Sequence, residues 1–139
     1  MSETITTSTL AGTISATARL RRYDARRDAQ PRPWLGLDGG TPELVLADLS
    51  LIVVGQRVPI PRSVYADFGD FGFHSQFLAF ASGGDRLFLT YSGGDAAGSF
   101  SADFVVRGTQ LEEVRIHTPT FEPPGTPSQQ TEVRTVPTQ

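Results

Sequence analysis

Ser99-Phe100-Ser101-Ala102-Asp103-Phe104-Val105-Val106-Arg107 sets Phe100, Ala102, Phe104 and Val106 on one parity, against Ser101, Asp103 and Arg107 on the other. A two-residue period is the side-chain spacing of a half-buried β-strand. Residues 111–117 repeat the pattern downstream, with Val114 and Ile116 inward against Glu113, Arg115 and His117. Upstream, residues 86–92 offer Leu87, Leu89 and Tyr91 on one face. Residues 76–81 are apolar on both faces through Phe77, Leu78 and Phe80, as expected of a central strand. The connectors are Ser82-Gly83-Gly84-Asp85, residues 92–98 and Gly108-Thr109. All are short and carry glycine, the chemistry of tight hairpins. Four consecutive antiparallel strands forming a meander are therefore predicted.

Working outward, residues 9–20 also alternate, with Leu10, Gly12, Ile14, Ala16, Ala18 and Leu20 on one parity, and threonine enrichment supports a strand. Residues 18–30 support two readings, a short helix ended by Pro31 or an extended arm. Residues 31–40 hold breakers and the only tryptophan, Trp34, and read as a connection. In residues 43–58, Val45, Ala47, Leu49, Leu51 and Val53 share one parity, which predicts a strand or strand pair bending at Gly55. Pro59 and Pro61 exclude a central strand there, and Ser63 is placed to cap a short turn over residues 64–67. From Thr118 onward lie five of the ten prolines among threonine and glutamine, the composition of a disordered or partner-ordered tail. The expected organisation is an N-terminal strand and arginine-rich arm over 1–34, a β-rich core over 35–117 and the tail over 118–139. The predicted fold class is mainly β, a single antiparallel sheet or small β-sandwich with the C-terminal four-strand meander and at most one or two short helices.

Composition removes several chemistries. The 139-residue chain has no cysteine, lysine or asparagine, so its twelve basic residues are all arginine. Disulfides, thiolate metal sites, Schiff-base lysines and the P-loop lysine are excluded. Abundant arginine without lysine or asparagine is the mark of a GC-rich genome, and a bacterial or phage origin is expected. No secretory signal is visible at the start, and the longest apolar run, residues 49–54, is far below the ~20 residues of a membrane-spanning helix. A soluble protein without a membrane partner, cytoplasmic by default, is expected. The net charge of −3 hides an asymmetry: residues 19–32 carry a local +4 and the remainder −7.

Three features are candidate sites. The first is the aromatic segment 65–73, in which Tyr65, Phe68, Phe71 and Phe73 alternate with glycines and acidic residues; exposed aromatic clusters mark protein interfaces, and a loop folded back over the sheet is the competing reading. The second is the arginine segment, with Arg21, Arg22, Arg26 and Arg27 as protein-binding residues. Nucleic acid is the less favoured partner there, because the chain is acidic overall. The third is Asp67, Asp70 and His74, a carboxylate, carboxylate and imidazole set for a metal or for acid/base work, which only a compact loop would converge. Asp67-Phe68-Gly69 is unrelated to the kinase magnesium triplet, since the chain has no lysine and no His-Arg-Asp loop. Ser-Gly-Gly-Asp at 82–85 and 92–95 reads as turn chemistry rather than an ion or phosphate site. His117 reads as a surface histidine, and no Gly-x-Ser-x-Gly elbow is present.

No cofactor is expected. The leading expectation is a non-enzymatic interaction protein, whose β scaffold presents the aromatic loop and extended termini to a protein partner or to neighbouring subunits. The alternatives are an assembly or virion component, and a small metal-dependent or acid/base enzyme built on Asp67, Asp70 and His74.

Overall fold

The structure, a computed structural model, describes residues 2–30, 33–35, 40–70, 78–94, 99–122 and 126–136, with the side chains of 70 and 119–129 outside the description. The chain is mainly β, in two antiparallel sheets whose inner faces share one core.

The first sheet holds β1 (Ser2–Thr9), β2 (Gly12–Arg22), β3 (Leu44–Val53) and β4 (Gln56–Val58) in that order, with the two-residue β5 (Gly69–Asp70) also on β3. The four-residue helix α1 (Ala25–Asp28) follows β2. Threonine and β-branched residues suit the pleated surface, and they fill β1 and β2. The predicted parity of β2 holds: Ile14, Ala16, Ala18 and Leu20 are buried. Leu10 is not part of it, because Leu10 and Ala11 form the two-residue turn between Thr9 and Gly12, where Leu10 is fully exposed.

On β3 the pairing shifts, so that Arg19 faces Asp48 while Leu20 faces Leu46. The bulge leaves Ala47 unpaired and brings Leu46, rather than Ala47, into the core beside Leu49 and Leu51. A one-residue insertion reverses the facing of everything beyond it, which is why the single parity read from the sequence fails N-terminal to Asp48. The next turn is Val54-Gly55. Val54 has a φ of 50, a left-handed conformation rare for a β-branched residue. Its amide donates to the Thr13 carbonyl at 2.9 Å, and its side chain lies where a Cβ on Gly12 would come within 3.0 Å.

The second sheet runs β10-β9-β8-β7-β6, a meander of β6 (Leu78–Gly83), β7 (Arg86–Gly93), β8 (Phe100–Arg107), β9 (Gln110–Glu122) and β10 (Thr126–Thr135). Leu89, Tyr91, Phe100, Ala102, Phe104, Val106, Val114 and Ile116 are buried as the alternation predicts. β6 is an edge strand and not the central strand its two-sided apolarity suggested; Ala79 is exposed, and Phe77 lies outside the described residues. The Glu3 carboxylate accepts from the Leu78 amide at 3.0 Å, so the edge β1 of one sheet meets the edge β6 of the other.

The strand expected within 1–34 is β2, which supplies four core residues. One expectation about the ends changes. The segment expected to be a tail becomes the second half of a hairpin, from Thr126↔Glu122 to Thr135↔Glu113. Its prolines are compatible with strands because Pro127 lies on an edge strand, and Pro119 lies on β9 beyond the last β8 pair, Ser101↔His117.

Candidate functional site

Tyr65 and Phe68 of the aromatic segment belong to the core. Tyr65 is 3% and Phe68 0% exposed. The Phe68 ring lies 5.0 Å from Phe100, 5.7 Å from Tyr91 and 6.3 Å from Phe104, and edge-on to Tyr65 at 6.4 Å. Aromatic pairs in these geometries add to the area they bury, so Phe68 joins the two sheets from between them. Neither ring is available to a partner. Phe71, Phe73 and His74 lie outside the described residues, as does the Asp70 side chain.

Asp67, the third member of the proposed metal set, is committed elsewhere. Its carboxylate accepts from both terminal nitrogens of Arg134 at 2.6 and 2.7 Å. The same Arg134 donates to the Val64 carbonyl at 3.1 Å and through Nε to Glu132, and its guanidinium lies 5.9 Å from the Phe68 ring centre. Burial pulls the Arg134 pKa down, but the hydrogen bonds from Asp67 and Glu132 outweigh it and raise it above the ordinary value. Both partners are nearly buried, at 11% and 7% side-chain exposure. A carboxylate held by two charge-assisted bonds is not a free ligand. Among the described residues no cluster of three metal-ligating side chains forms.

The arginine segment gives a different result. β2 delivers Arg19 and Arg21, α1 delivers Arg27, and the single-turn 3₁₀ helix Arg62–Val64 delivers Arg62 to one open depression of about 620 Å³, with Leu20, Asp28 and the bulged Ala47 completing its lining. Asp28 organises one side. Its carboxylate takes both Arg21 terminal nitrogens, at 2.5 and 2.7 Å, and the Asp24 amide at 2.8 Å. These bonds, the Arg21 pair first, hold the Asp28 carboxyl below the usual range, and the Asp28 bond raises Arg21 in turn. Asp24 caps the helix by accepting from the Arg26 amide at 3.0 Å. On the opposite side Arg62 donates to the Ala47 carbonyl at 2.6 Å and lies 5.8 Å over the Tyr65 ring centre.

Among the described residues the groove therefore carries four guanidinium groups against one carboxylate. Among the described residues Arg19 and Arg27 make no ion-pair contact; Arg27 only feels the field of Asp28. Of the residues singled out from the sequence, Arg21 and Arg27 line the groove, whereas Arg22 and Arg26 are exposed and outside it. Arg19 belonged to the same charged stretch without standing out. Arg62, isolated between Pro61 and Ser63, gave no local signal, since only the return of the chain after β4 brings it to β2.

His117 lies on the outer face of the second sheet, as its parity predicts. Its Nε2 is 3.1 Å from Asp103 and its Nδ1 3.0 Å from Thr131, while Thr90 donates to Asp103 at 2.7 Å. This row joins four adjacent strands, the cross-strand pairing that stabilises sheets. Both Ser-Gly-Gly-Asp segments follow or end strands, and Gly84 takes the left-handed conformation of the β6–β7 turn.

No family model, curated protein or solved structure matches this chain. No described helix is long and apolar enough to cross a membrane.

Proposed function

We propose that this chain is a protein-interaction protein whose β-sandwich presents the arginine groove to an acidic segment of a partner protein. The observation that carries the reading is the excess of guanidinium over carboxylate in the groove, with Arg19 and Arg27 unpaired among the described residues. Arginine offers planar, two-pronged recognition of carboxylates, and Arg21 already displays that mode on Asp28. The short groove and the acidic remainder of the chain support a peptide over a nucleic acid backbone.

Isothermal titration with a glutamate-rich peptide tests this at low and physiological salt. Binding that weakens as ionic strength rises, and that falls about tenfold in Arg19→Glu and in Arg27→Glu, is expected. Both residues are exposed, so the variants keep their fold. Undiminished binding in both variants, or tighter binding of duplex DNA than of the peptide, overturns it.

One observation favours a second reading, an assembly component. Residues 118–122 and 126–130 pair with each other beyond the last β8 pair, as a two-stranded ribbon. Isolated ribbons are marginal in water, and a neighbouring subunit would support this one. Light scattering decides it: an oligomer that dissociates when residues 119–129 are replaced by a short glycine turn supports assembly, and a monomer at all concentrations rejects it.

A further inference from the structure

Beside the arginine groove lies a second depression of about 360 Å³, lined by Asp48, Leu49, Arg57, Val58, Pro59, Ile60 and Pro61. Its base is core: Leu49 is 3% and Val58 1% exposed, while Ile60 is half-buried against the same cluster. The two depressions share their walls. Ala47 lines the groove and Asp48 the pocket; Arg62 lines the groove and Pro61 the pocket. Each pair is joined by one peptide bond, so about 3.8 Å of backbone separates the two linings on either side.

We infer that the groove and the pocket act together as a two-part docking surface for an extended segment of the partner, one carboxylate side chain lying among the arginines and one aliphatic side chain in the Leu49–Ile60–Pro61 pocket. This rests on the acidic-partner reading above and adds the second subsite. In an extended chain, side chains two positions apart share a face and stand roughly 7 Å apart, and the two depressions share their walls, so one short extended segment reaches both. The charge pattern orders the occupants. Asp48 and Arg57 balance in the pocket, whose remaining lining is apolar, whereas the groove has cation to spare among the described residues, so the carboxylate belongs to the groove and the aliphatic side chain to the pocket. Prolines 59 and 61 fix φ along the pocket wall, with Pro61 extended, so little conformational freedom is lost there on binding.

Two synthetic capped peptides test the inference on the full chain, Gly-Glu-Ser-Leu-Ser-Glu-Gly and the same peptide with serine in place of leucine. Both read the same in either chain direction around the centre. The leucine peptide is expected to bind at least about fivefold tighter, the effect of partly burying one leucine side chain. Ile60→Ser, which adds no charge, should erase that advantage while leaving the serine peptide's affinity within about twofold. Arg27→Glu should weaken both peptides. Equal affinity of the two peptides for the native chain, or a leucine advantage that survives Ile60→Ser, overturns the second subsite and leaves the acidic groove standing. Failure of both peptides to bind overturns both readings. Thermal unfolding of each variant confirms that loss of binding is not loss of fold.

Discussion

Two arginine–aspartate pairs in this molecule have the same chemistry and opposite roles. Arg21 and Asp28 are seven residues apart, and Arg134 and Asp67 are sixty-seven apart. Both pairs are two-pronged, with distances between 2.5 and 2.7 Å. The near pair fastens a one-turn helix to the end of its own strand and shapes one wall of the groove. The far pair ties the last strand to the segment that carries Phe68, with Val136 packed beside the same core. A local pair organises a surface, and a distant pair closes the fold. The difference follows from sequence separation: the near pair lies within one strand–helix connection, whereas the far pair joins β10 to the segment before β5 and is nearly buried.

The largest expected effect breaks the distant pair. Arg134→Ala leaves Asp67 buried without its partner and should cost about 3–5 kcal/mol, read from denaturant unfolding. Asp67→Leu combined with Arg134→Met should recover most of that loss, because replacing a buried pair by apolar groups removes the desolvation penalty together with the attraction. A double variant as unstable as Arg134→Ala would show that the Val64 and Glu132 bonds of Arg134 carry the closure instead.

The near pair should respond less and with a pH signature. Asp28→Asn should cost about 1–2 kcal/mol at neutral pH. Because pairing lowers the folded-state pKa of Asp28, its contribution is complete above the ordinary aspartate value of about 3.9 and fades as pH falls through the lower folded value. The melting-temperature gap between native chain and variant should therefore close in acid; a gap independent of pH down to about 2 would mean that charge is not its source. The same variant removes the one carboxylate that the described residues place in the groove lining and should tighten the glutamate-rich peptide.

The smallest effect belongs to the most local feature. Val54→Asn should stabilise the chain by about 0.5–1 kcal/mol, since asparagine tolerates the left-handed conformation that valine resists. A loss of stability would show that contact between the Val54 methyls and Gly12 outweighs the backbone strain.

The same contrast between near and far explains what was legible. Leu87, Leu89 and Tyr91, then Phe100, Ala102, Phe104 and Val106, then Val114 and Ile116 face inward because alternation is a property of each strand by itself, and Gly84 and Gly108 sit in turns that two-residue loops demand. Tyr65 and Phe68 were not legible as core, since glycines on either side suggest a loop while their burial depends on a gap between two sheets. Residues 126–135 looked like a tail because prolines and polar residues carry no strand period. They pair because β9 is already in place to receive them.

The sequence by itself determined the meander, the inward faces of β2 and β7 through β9, the exclusion of thiol and lysine chemistry, and the clustering of charge in residues 19–32, all of which rest on composition and on neighbours within a few positions. Only the tertiary structure decided which arginines share a groove, that Arg62 joins them, that Asp67 is held by Arg134, and that Phe68 lies between the sheets. Arg62 is held by the carbonyl of the bulged Ala47, the others depend on the packing of one sheet on the other, and the energy of such packing is a sum over residues far apart in the chain.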